Sequence, residues 1–148
     1  MKVNIWESKP DSHLNPCSFT VRIACLELKV EVSLLTKETY SKAVDEARAG
    51  FMSSGDPLPV LKGRTSLVDE AVISAFGKAI QGGFQERLAL LAVGGYGRQE
   101  LFPCSDVDLL LLAAKTPDSA QDKAEISEFL RILWDMGLRV SQSVRTVE

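Results

Sequence analysis

The stretch LALLAVGGYGRQELFPCSDVDLLLL, residues 88–112, decides how the fold is interpreted. Its two apolar runs, residues 88–93 and 107–113, have the length and composition of buried β-strands. Between them lies a polar segment with three glycines, an arginine and the aspartates Asp106 and Asp108. Because a charged side chain beside a core strand is costly unless it is paired, this segment is expected to bind a ligand.

The two aspartates are predicted to hold a metal ion. Residues two apart in a strand point to the same face, which directs both carboxylates to one place, with Cα atoms roughly 6–7 Å apart. Val107, between them, points into the core. Mg²⁺ binds through one or two carboxylates together with substrate phosphates, and a pair of such ions can stabilise an in-line phosphoryl displacement. Asp106 and Asp108 are therefore the predicted ligands of Mg²⁺ or Mn²⁺.

The glycines are predicted to bind phosphate. Gly94 and Gly95 directly follow an apolar strand, and glycine lets a backbone approach a ligand closely. Consecutive backbone N–H groups form an anion site, and Arg98 adds a guanidinium group suited to phosphate. Alone, a Gly-Gly pair or an Asp-x-Asp pair is more often a turn or a strand end. Their combination favours a nucleoside triphosphate with Mg²⁺.

Two other phosphate motifs are excluded. A GxGxxG fingerprint would need a glycine at position 100, which is Glu100. A P-loop would need Ser or Thr after Gly77-Lys78, where the chain has Ala79.

The composition of the chain limits the classes of protein to which it could belong. The 148 residues suffice for one domain, and the formal net charge of −3 argues against broad nucleic-acid binding. Three cysteines (Cys17, Cys25 and Cys104) without a CxxC pair favour a reducing, cytoplasmic compartment. The single histidine, His13, cannot build a multi-histidine metal site. No apolar run reaches the length of a membrane span, and the N-terminus lacks the apolar core of a signal peptide.

Periodicity predicts an α+β domain with helices on one side of a small mixed sheet. Residues 1–17 are predicted to form a tail. Apolar and polar residues alternate over 19–32, which predicts a strand, with a phase slip near Ala24. The further predicted elements, in chain order, are a helix over 36–49 capped by Thr36, a linker over 50–64, a helix capped by Thr65 or Ser66 and ended by Gly82 and Gly83, strands 88–93 and 107–113, a helix from 117–119 to about Met136, and a strand over 138–146. Thr39 stands where a capping box would have Glu or Gln. Asp69 and Glu70 are predicted in the first turn of the second helix.

The segment GGYGRQELFPCSDVDL, residues 94–109, resembles the signature of the nucleotidyltransferase domain of the bifunctional uridylyltransferases that modify the nitrogen-signalling protein PII. Every fixed position of the Gly-Gly-Tyr-Gly-Arg…Glu-Leu…Pro…Ser-Asp-x-Asp-Leu pattern is filled. LWDMGLRVSQSVRTVE, residues 133–148, resembles the helix-to-strand segment that follows in that family. The resemblance covers about residues 65–148.

The resemblance implies a DNA polymerase β-like nucleotidyltransferase fold and transfer of UMP from UTP to a tyrosine of PII, with release of pyrophosphate. It implies that Asp106 and Asp108 hold Mg²⁺, and that Gly94 and Gly95 contact the triphosphate with Ser105 and Arg98 nearby. Tyr96 and Glu100 match motif positions without an implied role, and Tyr96 and Phe102 are expected to pack the turn.

The sequence also departs from the family. The superfamily takes a third carboxylate from a later strand, which we expect this chain to lack, since Glu148 is its last residue. The helical insert, the HD hydrolase domain and the ACT domains of the family do not fit. We therefore expect a truncated, catalytically incomplete chain with three parts: residues 1–32 without an assigned role, 33–63 as a helix plus linker, and 64–148 as the nucleotidyltransferase core. A domain like the adenylyltransferase that acts on glutamine synthetase, and a noncatalytic nucleotide- or partner-binding module, remain alternatives.

Overall fold

The computed structural model describes residues 36–147 and, for the backbone alone, residues 22–24. Arg22–Ala24 form a short strand, β1, within the predicted alternating segment. The remainder of that segment, the tail with His13 and Cys17, and Glu148 lie outside the described residues.

The first helix, α1, spans Lys37–Ser54 and begins at the predicted cap, Thr36. The Thr36 hydroxyl accepts a hydrogen bond from the Thr39 N–H (3.3 Å), and the Thr36 N–H donates to the Thr39 hydroxyl (2.8 Å). Thr39 therefore completes a capping box without Glu or Gln, because its hydroxyl reaches back to the cap backbone. The helix runs five residues past the predicted end at residue 49 and stops at Gly55, whose φ is +70°.

The predicted linker over residues 50–64 is wrong, because the second helix, α2, spans Leu58–Ala79. Pro57 is its N-cap, and proline is tolerated there because the first N–H groups of a helix have no partner within it. Thr65 and Ser66, the predicted caps, lie inside the helix. The buried Thr65 hydroxyl donates to the Leu61 carbonyl at 2.8 Å. Residue 64 thus falls within α2.

The end of α2 also differs from the prediction. It ends at Ala79, and Gly82 begins a separate one-turn helix, α3, over Gly82–Gln85. Gly82 has a φ of +59°, a conformation that costs glycine little.

Within the described residues, the sheet has four strands in the order β1-β2-β3-β4 and is mixed. β2 spans Leu88–Ala92, β3 spans Val107–Ala113 and β4 spans Val140–Thr146. The first two pairings are antiparallel, whereas β3 and β4 are parallel. A parallel pair needs a crossover, which α5 (Ala120–Asp135) supplies. Its predicted start at residues 117–119 is confirmed, and the structure identifies Ser119 as the N-cap, since the Ser119 hydroxyl accepts from the Asp122 N–H at 2.9 Å.

The core lies between α2, α5 and one face of the sheet, which confirms the predicted α+β class. Along β3, buried and half-buried residues alternate. The buried ones pack with the helices, where the Phe76 and Phe129 rings meet edge to face at 5.7 Å. Asp108 begins the half-buried series, which continues through Leu110 and Leu112 on the opposite face.

In the part of the chain that the structure describes, no helix combines the length and apolar character needed to cross a membrane.

Candidate functional site

The segment after β2 folds into a one-turn helix, α4, over Gly94–Gly97. Gly94 has a φ of +61°, and its carbonyl accepts a hydrogen bond from the Arg98 N–H at 3.3 Å. Just before the turn, the Val93 N–H donates to the Asp108 carbonyl at 3.1 Å. This bond joins the glycine turn directly to the strand that carries the aspartates.

Gly94 and Asp108 are in close contact. A Cβ added at Gly94 would lie 3.2 Å from the Asp108 Cγ and 3.5 Å from its Cβ, with Oδ2 nearer still. Gly94 is therefore required for two reasons: its backbone is left-handed, and a side chain would displace the carboxylate. The structure thus brings together two of the residues that the sequence predicted for one site.

Asp106 lies one residue before β3, beside a basic side chain that sequence reasoning missed. Its Oδ1 is 3.1 Å from Nε of Arg139, which lies just before β4. Val107 is fully buried, as predicted, while Asp106 is exposed and Asp108 half-buried. Neither carboxylate is therefore enclosed in the core, and both are open to a ligand.

The turn is stabilised by contacts of Glu100 with Gly95 and with Arg98. The Glu100 N–H donates to the Gly95 carbonyl at 2.9 Å, and a Cβ at Gly95 would lie 3.3 Å from the Glu100 carbonyl oxygen. Nε of Arg98 is 3.0 Å from a carboxylate oxygen of Glu100, and both side chains are exposed. The structure thus gives Arg98 a local acidic partner. Its predicted phosphate contact stays a prediction.

Several hydrogen bonds in the loop before Asp106 converge on the carbonyl group of Phe102. It accepts from the Ser105 N–H (3.0 Å), from the Ser105 hydroxyl (2.8 Å) and from the guanidinium of Arg64 on α2. The Phe102 ring is 57% exposed, so the expectation that it packs the turn is wrong.

Tyr96 anchors the glycine turn to α2. Its ring is only 2% exposed, which confirms that it packs the turn, and its hydroxyl donates to Asp69 Oδ1 at 2.6 Å. The prediction that Asp69 lies in the first turn of α2 is wrong, because the helix begins at Leu58. Asp69 faces the turn from the middle of the helix.

The donor set fits a divalent cation of the hard type. Asp108 supplies carboxylate oxygens beside the Gly94 backbone, and Asp106 supplies a second, exposed carboxylate two residues earlier. Within the described residues, no group of three or more His, Cys, Asp or Glu side chains is arranged to hold a metal. Mg²⁺ suits such a site, because it commonly takes one or two carboxylates and completes its shell with water and substrate phosphates.

Several known proteins similar to this chain share one name. A protein of Aromatoleum aromaticum is 51% identical over 88 residues, which are 60% of this chain and 10% of that protein. A protein of Pseudomonas putida strain F1 is 40% identical over 123 residues, 83% of this chain and 13% of that protein. Both are named bifunctional uridylyltransferase/uridylyl-removing enzyme. By sequence, the chain belongs to this family. No family model and no solved structure matched it.

The uridylyltransferase relatives are much longer than the matched region. The chain spans only 10% and 13% of the length of the two relatives above. A protein of Chromobacterium violaceum with the same name shows a similar relation, 35% identical over 113 residues and 13% of its length. The 123-residue match is longer than residues 65–148, so the relationship extends beyond the region in which the resemblance was recognised.

Proposed function

We propose that this chain is a Mg²⁺-dependent nucleotidyltransferase domain that transfers UMP from UTP to a tyrosine of the nitrogen regulatory protein PII. The observation that carries the proposal is the contact between the Gly94 backbone and the Asp108 carboxylate. It sets a turn suited to phosphate against a carboxylate suited to a cation. A nucleoside triphosphate with its bound metal ion needs a phosphate-binding turn and a metal-binding carboxylate close enough to contact the same ligand.

In this proposal, Asp106 and Asp108 hold Mg²⁺ or Mn²⁺, which when bound neutralises charge on the phosphate oxygens. The backbones of Gly94 and Gly95 face the triphosphate, with Arg98 and Ser105 beside them. The acceptor tyrosine oxygen gives its proton to solvent and forms a bond to the α-phosphorus, the bond from the α-phosphorus to the oxygen of the β-phosphate breaks, and pyrophosphate leaves. The names of the relatives support uridylyl transfer as the reaction class. We place the reaction in the cytoplasm because the odd cysteine count argues against a disulfide framework.

The nucleotide site is tested by calorimetric titration of UTP in the presence of Mn²⁺. The Asp106→Asn/Asp108→Asn variant should bind UTP more than about 10-fold more weakly, since even outer-shell partners of a metal affect affinity on that scale. The matched control is Asp45→Asn/Asp118→Asn, which removes the same charge at two exposed positions on α1 and before α5. Equal binding by the site variant and the wild-type chain would refute the metal assignment.

The choice of nucleotide and acceptor is tested separately, with radiolabelled UTP or ATP and PII. Metal-dependent label in PII from UTP supports the proposed reaction. Preference for ATP would favour the adenylyltransferase-like alternative, and binding of UTP without transfer would favour a noncatalytic nucleotide-binding module.

A further inference from the structure

The Arg139 side chain places a positive charge of the protein itself beside Asp106. Nε of Arg139 lies 3.1 Å from Asp106 Oδ1, and its Nη1 donates to the Cys104 carbonyl at 3.4 Å. The guanidinium thus bridges the carboxylate and the loop that precedes it. A divalent cation on the same carboxylate competes with this pair, because two positive charges beside one carboxylate repel each other.

The backbone keeps Arg139 at the site whatever its side chain does. The Val107 N–H donates to the Arg139 carbonyl at 2.7 Å. Val107 also pairs with Val140, the residue after Arg139, in the parallel β3–β4 ladder. The side chain is 73% exposed, so its guanidinium can swing away from Asp106 without breaking core contacts. A displaced guanidinium therefore stays within side-chain reach of the two aspartates.

We propose that Arg139 is a substrate-binding residue that exchanges partners: it pairs with Asp106 before the metal arrives and with a phosphate of the nucleotide afterwards. This inference rests on the proposed function. A guanidinium matches phosphate as well as carboxylate, in both cases through paired N–H donors. The anion that accompanies the cation into the site is the triphosphate, so the exchange leaves Arg139 with an acceptor at each stage.

The exchange predicts effects of opposite sign on two titrations of the full chain. Arg139→Ala should bind Mn²⁺ alone about two- to five-fold more tightly, because a competing positive charge is gone. With Mn²⁺ saturating, the same variant should bind UTP about ten-fold more weakly, because a charge-assisted hydrogen bond to phosphate is lost. A purely structural role would weaken both.

Two further variants make the test decisive. Arg145→Ala removes the same charge from the far part of β4, where Arg145 pairs with Leu112 in the ladder and lies away from the aspartates, and should leave both titrations unchanged. Arg139→Lys keeps the charge but not the planar fork, so it should bind Mn²⁺ as the wild type does and UTP less tightly. If Arg139→Ala lowers the melting temperature, Arg139→Lys tests the exchange in its place.

Unchanged UTP binding by Arg139→Ala, or weaker binding of Mn²⁺ alone, would overturn the exchange. Failure of the proposed function looks different, because then Asp106→Asn/Asp108→Asn would also bind Mn²⁺ and UTP like the wild type.

Discussion

Two turns in this molecule share a sequence pattern and a conformation, yet only one belongs to the candidate site. Gly82-Gly83-Phe84 and Gly94-Gly95-Tyr96 each begin a four-residue helix. The first glycine has a φ of +59° in one and +61° in the other, and the aromatic residue is buried in both. The surroundings differ. A Cβ at Gly82 would meet nothing within 4 Å, whereas a Cβ at Gly94 would meet the Asp108 carboxylate.

The comparison separates two reasons for having glycine. Backbone conformation alone explains Gly82, because a left-handed residue with open space around it needs nothing more. At Gly94 the same conformation is combined with a close approach to a charged group. A Gly-Gly pair is therefore informative about function only when the group opposite it is known.

The largest effect is expected from adding one methyl group to each turn. Gly94→Ala should displace the Asp108 carboxylate and weaken Mn²⁺ binding at least about 10-fold, the scale on which outer-shell changes act. Gly82→Ala should leave Mn²⁺ binding unchanged. Both should lower the free energy of unfolding by about 1 kcal/mol, since both force a side chain into the left-handed region. Calorimetry gives the first quantity and urea denaturation the second.

This comparison would fail in a recognisable way. If the two alanine variants lose similar stability and both retain Mn²⁺ binding, the contact between Gly94 and Asp108 is only packing.

An intermediate effect is expected from making the second turn more like the first. Tyr96→Phe converts Gly-Gly-Tyr to Gly-Gly-Phe and removes the donor to Asp69 (2.6 Å). Hydrogen bonds to charged groups contribute about 1.5–3 kcal/mol, so we expect unfolding to become easier by about 2 kcal/mol in urea denaturation. A loss below about 0.5 kcal/mol would show that ring packing alone anchors the turn.

The smallest effect is expected at the second glycine of each pair, with opposite signs. Gly83→Ala has open space and a helical position, so it should stabilise the chain by about 0.4–1 kcal/mol. In Gly95→Ala the new Cβ would lie 3.3 Å from the Glu100 carbonyl, so the turn must shift slightly. We expect it to destabilise the chain by less than about 1 kcal/mol in the same assay. If both substitutions stabilise the chain, the turn at Gly95 has room for a methyl group, as the turn at Gly83 does.

The strands and the last helix could be predicted because their patterns are local. The apolar run predicts β3 with its observed bounds, and residues 117–119 predict the start of α5. The start of α2 was missed because proline and glycine between residues 55 and 63 resemble a linker. Within this segment Leu61 is buried, and Pro57 occupies a position where proline is tolerated.

The candidate site was only half predictable, for a similar reason. Gly94, Asp106 and Asp108 lie in one short stretch whose spacing can be read directly. Asp69 and Arg139 reach it from α2 and from the start of β4, and no periodicity links residues so far apart in the chain. Their roles follow from which elements pack together.

The parallel pairing of β3 and β4 also has a consequence for the order in which the domain folds. β2 and β3 pair through a short connection, but β4 can join only after the chain has passed through α5, so its loop-closure entropy is larger. A folding intermediate that contains only the β2–β3 hairpin would hold both aspartates without Arg139. In such a species the Asp106 carboxylate would lack its guanidinium partner, and the arrival of β4 is the step that brings Arg139 to it.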